Sequence, residues 1–221
     1  MDIEFWKQRW QQDQIGFHLN SVNSHLLNHW LNLDLVPGST VFVPLCGKSL
    51  DLVWLANQGH HVLGVECSEQ AVKAFFSGNK LPVQQAEYKG FHVYNSDRIT
   101  ILQGDFFDLD ASLLEDVNAV YDRASLIALP ESMRDQYARQ LQDILPSAAQ
   151  LVLITLMYDQ SLMPGPPFSV SEDEVSRHYA HRYSISLLYQ EDILLQEPRF
   201  GQQGLDYLTE SVFLLGPLNG L

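Results

Sequence analysis

The 221-residue chain predicts a doubly wound α/β sandwich, with a mainly parallel sheet covered on both faces and an antiparallel C-terminal strand. Two observations carry this. From Thr40 onward, short apolar runs alternate with amphipathic stretches of roughly 10–15 residues, the mark of consecutive β-α-β units. The last two strand-like runs, YSISLLYQ (183–190) and LTESVFLLGPL (208–218), have no long helix between them and so suit an antiparallel edge pair.

The elements follow in order. The first 38 residues read as helical, because Phe5, Trp6 and Trp10, then Leu26, Leu27, Trp30 and Leu31, recur at three- and four-residue spacings before Pro37-Gly38. TVFVPLC (40–46) reads as a buried strand, and LDLVWLANQG (50–59) as a helix with Gly59 just past its end. HVLGVEC (61–67) is a second strand, and Ser68 is placed to cap the helix that follows. FHVYN and RITILQG (91–95 and 98–104) form a hairpin around Asn95-Ser96-Asp97. NAVYDRAS (118–125) is a strand, 130–145 a helix with Pro130 near its start, and AQLVLITLMY (149–158) the most apolar strand. PGPPF (164–168) is a stiff loop before an acidic helix start at Ser171.

At 46% hydrophobic and 18% charged residues the chain has ample material for a core, which excludes intrinsic disorder. Its length gives a prior of one domain. With 13 Lys+Arg against 27 Asp+Glu, the formal net charge is −14. The basic residues form no stripe, so nucleic acid and anionic membrane surfaces are poor partners. The N-terminus, MDIEFWKQRW, lacks the basic start and apolar run of a signal peptide, and the apolar stretch 144–158 is short of a membrane span. Two cysteines, Cys46 and Cys67, are too few for a disulfide framework. The expected setting is cytoplasmic, with both thiols reduced and the protein a monomer.

In a doubly wound sheet, ligands bind beyond the carboxyl ends of the strands. Four strand ends qualify: PLCGKS (44–49), Glu66, Gly104-Asp105-Phe106 and Asp122-Arg123. PLCGKS is no P-loop, because the position that needs glycine is Phe42, and only Gly47 remains of a G-x-G-x-x-G fingerprint. Glu66 follows Gly47 by nineteen residues, the place from which an acid accepts hydrogen bonds from two ribose hydroxyls; a merely solvated strand-end carboxylate is the other reading. Without pyrophosphate glycines, the ligand is a nucleoside carrying no pyrophosphate, and S-adenosylmethionine is of that kind. Asp105 could meet an adenine amino group with the Phe106 ring on its face. Arg123 either pairs with the carboxylate of a methionine moiety or is held by Asp122.

Two signals point elsewhere and are set aside. His25 and His29 are i, i+4, but a zinc-protease helix would need Glu where Leu26 stands, so no metal is expected. Cys46 has no histidine tied to it by any motif, and a buried thiol is the simpler state.

FWKQRW, GFH (16–18), VFVPLCGKSLDLVWLANQGHHVLGVE, FFDL, YDRASLIALP and PGPPF together resemble the thiopurine S-methyltransferase family in its shorter bacterial form. The resemblance runs nearly the whole chain in order, and the family departs from the glycine-rich methyltransferase loop in the same way. It implies a class I S-adenosylmethionine-dependent methyltransferase fold, Rossmann-like, as a single domain over 1–221 with 1–38 as a helical cover. It implies cofactor contacts from Trp10, Leu45, Glu66, Asp105, Phe106 and Arg123, a substrate pocket lined by Phe17, and PGPPF as a segment covering that pocket. The acceptor it implies is a thiopurine or other aromatic thiol, with selenium and tellurium species as further acceptors. No catalytic residue is named, because an activated methyl and an acidic heteroaromatic thiol need orientation more than a strong base. His18 and Arg123 are the residues placed to favour a substrate anion. Two other readings stay open: a non-catalytic nucleoside-binding protein, and a nicotinamide-dependent oxidoreductase, which the absent G-x-G-x-x-G disfavours.

Overall fold

The computed structural model describes residues 3–218. The chain divides between Tyr121 and Asp122 into two compact units. In the first, helices α1 (Ile3–Gln11) and α2 (Ser24–His29) and a 3-10 turn (Trp30–Leu33) precede β1 (Thr40–Val43), α3 (Asp51–Asn57), β2 (His61–Glu66) and α4 (Glu69–Gly78). Then come β3 (Gln84–Tyr88), β4 (Phe91–Ser96), β5 (Ile99–Gln103) and β6 (Val117–Arg123), whose last two residues lie past the division.

Strands β5, β2, β1 and β6 run parallel, with Val43 opposite Gly64 and Glu66 opposite Gln103. The hairpin of β4 and β5 is as the sequence predicts, and β3 adds to it antiparallel. Val41, Phe42, Val65, Ile101, Ala119 and Val120 have 0% exposure. Such continuous apolar runs belong to parallel strands buried on both faces. Truncating Phe42 to Ala would cost about 3–5 kcal/mol at a site this closed.

The second unit contains α5 (Glu131–Ile144), β7 (Gln150–Met157), α6 (Glu172–Tyr179), β8 (Tyr183–Asp192), the short α7 (Pro198–Gly201) and β9 (Thr209–Pro217). β9 pairs antiparallel with β7 on one side and with β8 on the other. The expected antiparallel C-terminal pair is there, and β9 is its inner member. No helix among the described residues is long and apolar enough to cross a membrane.

Three local readings change. The N-terminal 38 residues are not one helical run: residues 12–23 are irregular, and Asn23 starts α2 by accepting the His25 and Leu26 N–H groups on its side chain. The strand read over 40–46 stops at Val43, because Pro44 and Leu45 turn. β3 (QQAEY) was not predicted; all five residues are exposed, so it carries no apolar alternation to read. The capping reading at Ser68 holds, with its hydroxyl accepting the Ala71 N–H at 3.3 Å.

Candidate functional site

The first unit builds a corner where β1 and β2 end. The turn after β1 takes two left-handed residues, Leu45 (φ 44°) and Gly47 (φ 55°). For glycine this conformation is free; for leucine it costs on the order of 1–3 kcal/mol. The turn is stitched to β2 by the Cys46 N–H donating to the Val65 carbonyl at 3.0 Å. Gly64 permits this closeness, since a Cβ there would lie 2.7 Å from the Cys46 sulfur.

Glu66 is the keystone of the corner and is 5% exposed. Its Oε2 accepts the Gly47 N–H at 2.9 Å; its Oε1 accepts the Ser68 N–H at 2.7 Å and the Cys67 thiol at 3.4 Å. Burial pushes the carboxyl above its ordinary range, opposed by the N–H groups of Ser68 and Gly47. The Cys67 N–H is a further donor to the same carboxylate, so backbone and thiol together hold it from several sides. Burial, with Glu66 close by, pushes the Cys67 thiol far up; Cys46 is likewise driven up, chiefly by its own burial. Both are free thiols. Neither is a thiolate at neutral pH, which agrees with setting Cys46 aside as a nucleophile.

Trp10 closes the corner from α1. It is 5% exposed, and a Cβ on Gly47 would sit 3.1 Å from its indole. Lys48 Nζ stands 5.8 Å from the ring centroid, and Gln70 on α4 donates to the Trp10 carbonyl at 3.1 Å. Phe17 meets Trp10 and Trp6 edge-on, at 5.6 and 5.7 Å between centroids. The N-terminal segment therefore lies over the turn.

The Gly104 N–H donates to the Glu66 carbonyl at 3.0 Å, which brings the end of β5 beside the same corner. Only glycine fits there, because a Cβ would be 2.5 Å from the Phe91 ring. Asp105 Oδ1 accepts the Phe107 N–H at 2.9 Å and caps a 3-10 turn (Phe106–Asp108), while its Oδ2 has no partner among the described residues. Phe106 is only 2% exposed and meets Phe107 edge-on at 5.3 Å, so Phe107 is the half-exposed ring of the pair. Trp10, Phe17, Leu45, Glu66 and Asp105-Phe106 thus belong to one unit. His18, half-buried, follows Phe17 directly.

In the second unit, Arg123 closes β6 and is half-buried, next to Asp122, which has 0% exposure. Asp122 accepts the Tyr137 hydroxyl at 2.7 Å and the Leu126 N–H at 3.4 Å. The PGPPF loop is fastened from both ends. The Tyr158 hydroxyl donates to the Pro167 carbonyl at 2.6 Å, and Gln160 bonds Met163 and Ser169 at 2.6 and 2.8 Å. Beside it lies a cavity of about 460 Å³ lined in part by Arg134, Gln160, Phe168 and Glu174. Sequence reasoning missed Tyr137, Tyr158 and Gln160. Nothing but the periodicity of α5 marks Tyr137, and that reads as core. His25 and His29 stack at 5.9 Å, with His25 buried.

Solved structures share this fold. An S-adenosylmethionine-dependent methyltransferase from Anabaena variabilis matches with a TM-score of 0.65 over 97% of this chain and 94% of its own, at 11% identity. The Burkholderia thailandensis 1,6-didemethyltoxoflavin-N1-methyltransferase, solved with S-adenosylhomocysteine, gives 0.62 over 97% and 87%, at 13% identity. The fold is that of the S-adenosylmethionine-dependent methyltransferases.

Relatives of known name narrow this class. Over 215 residues the chain is 46% identical to the thiopurine S-methyltransferase of Shewanella oneidensis, covering 97% of this chain and 99% of the relative. Against that of Nitrosospira multiformis it is 48% identical over 215 residues, covering 97% and 98%. The family model described as thiopurine S-methyltransferase matches residues 1–216. The chain belongs to the thiopurine S-methyltransferase family, whose methyl donor is S-adenosylmethionine. The corner fits that donor. It offers a buried acid at the end of β2, a glycine turn against which an indole packs, and an Asp105 oxygen without a partner among the described residues.

Proposed function

We propose that this protein moves the methyl group of S-adenosylmethionine to the sulfur of thiopurines or other aromatic and heterocyclic thiols, with selenium and tellurium species as further acceptors. The observation that carries the reading is Glu66, a buried carboxylate at the end of β2 held by the Gly47 and Ser68 N–H groups. In this reading Glu66 accepts the ribose hydroxyls, and Asp105 Oδ2 accepts from the adenine amino group, with Phe106 behind it. Leu45 and Trp10 wall the donor, and Arg123 takes its carboxylate.

The bound donor supplies a methyl already activated on a sulfonium. The protein's own residues orient and exclude water. Trp6, Trp10 and Phe17 form an edge-to-face aromatic group that shields the corner and gives an aromatic thiol an apolar wall. Holding two reactants in line contributes as much as ~7–11 kcal/mol in favourable cases. An alkyl thiol ionises near pH 8.5, and heteroaromatic thiols ionise more readily, so Arg123 and His18 need only favour an anion already formed. No general base is assigned.

The reading carries with it one methyltransferase domain over 1–221, with 1–38 as its cover, acting as a monomer on small molecules in the cytoplasm. Two free thiols suit a reducing compartment. The test is incubation with S-adenosylmethionine and a panel of thiopurines, aryl thiols, selenite and tellurite, with products followed by mass spectrometry. S-methylated thiopurine is the expected product. Donor binding by calorimetry with no methylated product from any acceptor overturns the enzyme reading in favour of a binding protein.

A further inference from the structure

Asp122 and Arg123 are consecutive on β6, so their side chains leave opposite faces of the strand. Arg123 has a proposed task, and Asp122 has none. Yet Asp122 is wholly buried, and a carboxylate in that state is costly unless its acceptors are filled. Here they are filled by Tyr137, by the Leu126 N–H, and by the hydroxyl and N–H of Ser125 on the turn. The Tyr137 hydroxyl, on the fully buried side of α5, donates to Oδ2 at 2.7 Å. The Leu126 N–H, four residues along the chain, donates to Oδ1 at 3.4 Å. Between these anchors the backbone turns left-handed at Ala124 (φ 64°), a strained state for a residue with a Cβ, and enters the 3-10 turn Leu126–Ala128. Arg123 sits between the anchored aspartate and the strained alanine, on the face opposite the anchor.

We propose that Asp122, locked by Tyr137 and the Leu126 N–H, is a positioning residue that sets the direction in which Arg123 leaves β6 toward the carboxylate of the methyl donor. The proposal rests on the assignment of Arg123 to that carboxylate. The chemistry of the lock gives it a pH signature. Donors from Tyr137, Leu126 and Ser125 aimed at the two oxygens suit a carboxylate, and a protonated acid gives up one acceptor position to its own hydrogen. Burial pushes Asp122 up to about 6, with the Tyr137 and Leu126 donors pulling the other way. The groups that face it are the Tyr137 hydroxyl from α5, the Tyr179 hydroxyl from α6, which the Asp122 charge helps push up, and Ser125 on the turn. Below the midpoint, the lock on Arg123 loosens.

The experiment is calorimetric binding of S-adenosylhomocysteine between pH 5 and 8, which involves no acceptor thiol. The wild-type affinity is expected to fall below about pH 6. Asp122→Asn keeps the size but puts an amide against the Tyr137 hydroxyl; affinity at pH 8 falls about 10-fold, as for one charge-assisted hydrogen bond, and the acid-side loss disappears. Tyr137→Phe keeps the ring and removes one donor, so affinity falls about 3- to 10-fold and the acid-side midpoint moves upward. A merely structural role would move neither midpoint. Should Asp122→Asn fail to fold, the Tyr137→Phe midpoint decides alone: an unshifted midpoint overturns the proposal. Unchanged affinity in Arg123→Ala overturns the assignment of Arg123 and the proposal with it. Weakened binding in Arg123→Ala beside unaltered Asp122→Asn and Tyr137→Phe overturns the positioning role alone.

Discussion

Glu66 and Asp122 are both acids buried at strand carboxyl ends, and burial raises both, yet they are held differently. Glu66 is held mainly by backbone: the Gly47, Ser68 and Cys67 N–H groups bond it, together with the Cys67 thiol. Asp122 receives the Leu126 and Ser125 N–H groups and two hydroxyls, one from Ser125 and one from Tyr137 on a helix fifteen residues away. Backbone donors are supplied by the turn itself and survive most side-chain changes. A side-chain donor can be lost in a single substitution. The first arrangement suits a fixed receptor for ligand hydroxyls, and the second suits an adjustable support.

The comparison can be broken at several points, of which Glu66→Ala has the largest expected effect. It removes the proposed ribose acceptor and strands two buried N–H groups, and two charge-assisted hydrogen bonds are together worth at least about 3 kcal/mol. Calorimetry with S-adenosylhomocysteine should show a loss of roughly 100-fold or more. Unchanged affinity would mean that Glu66 is only a structural tie.

Gly64→Ala probes the packing behind the Glu66 corner. Its Cβ would meet the Cys46 sulfur at 2.7 Å, and overpacking of this kind costs about 1–3 kcal/mol. Thermal melts should show the loss in Gly64→Ala and its recovery in Gly64→Ala with Cys46→Ala. No recovery would place the clash elsewhere.

Asp122 makes a prediction about pH. Its carboxyl stands at about 6 in the folded protein against 3.8 ordinarily, so the folded state binds that proton more tightly. The stability it contributes is fully present below pH 3.8 and is lost as pH rises toward about 6. Denaturant titrations from pH 4 to 7 should show wild type losing on the order of 2 kcal/mol relative to Asp122→Asn. A constant difference would show that the acid is no more basic folded than unfolded.

The smallest effect is a control. The Ser171 hydroxyl caps α6 by accepting the Glu174 N–H at 3.2 Å, and Ser171→Ala should cost about 1 kcal/mol. Its affinity for S-adenosylhomocysteine should equal the wild type's, which separates loss of stability from loss of binding.

The difference between the two acids also explains what could be read in advance. The Glu66 corner is written locally: Gly47, a glycine-permitting strand position at 64, an acid nineteen residues on and a capping Ser68 lie within one β-α-β unit. Spacing alone singled out Glu66. The Asp122 lock depends on a tyrosine from the next helix, and nothing in the sequence pairs a phenol with a distant acid. The β4–β5 hairpin was legible from its turn residues, whereas β3 is made only by pairing with β4. Leu45 reads as the end of a strand, and its left-handed turn was not legible, because leucine seldom takes that conformation without neighbours that enforce it.

Trp10 gives the molecule a built-in optical gauge. The chain has four tryptophans, and this one lies against the Gly47 turn with Lys48 near its ring. Trp30, by contrast, is 3% exposed and donates its indole N–H to His60 at 3.2 Å, where burial holds that histidine below its ordinary range and so neutral. Trp10 is thus placed to sense a ligand at the corner, and Trp30 to contribute a background that does not respond to it. If the donor sits at the corner as proposed, its occupancy can be followed by intrinsic fluorescence, without a label and without turnover.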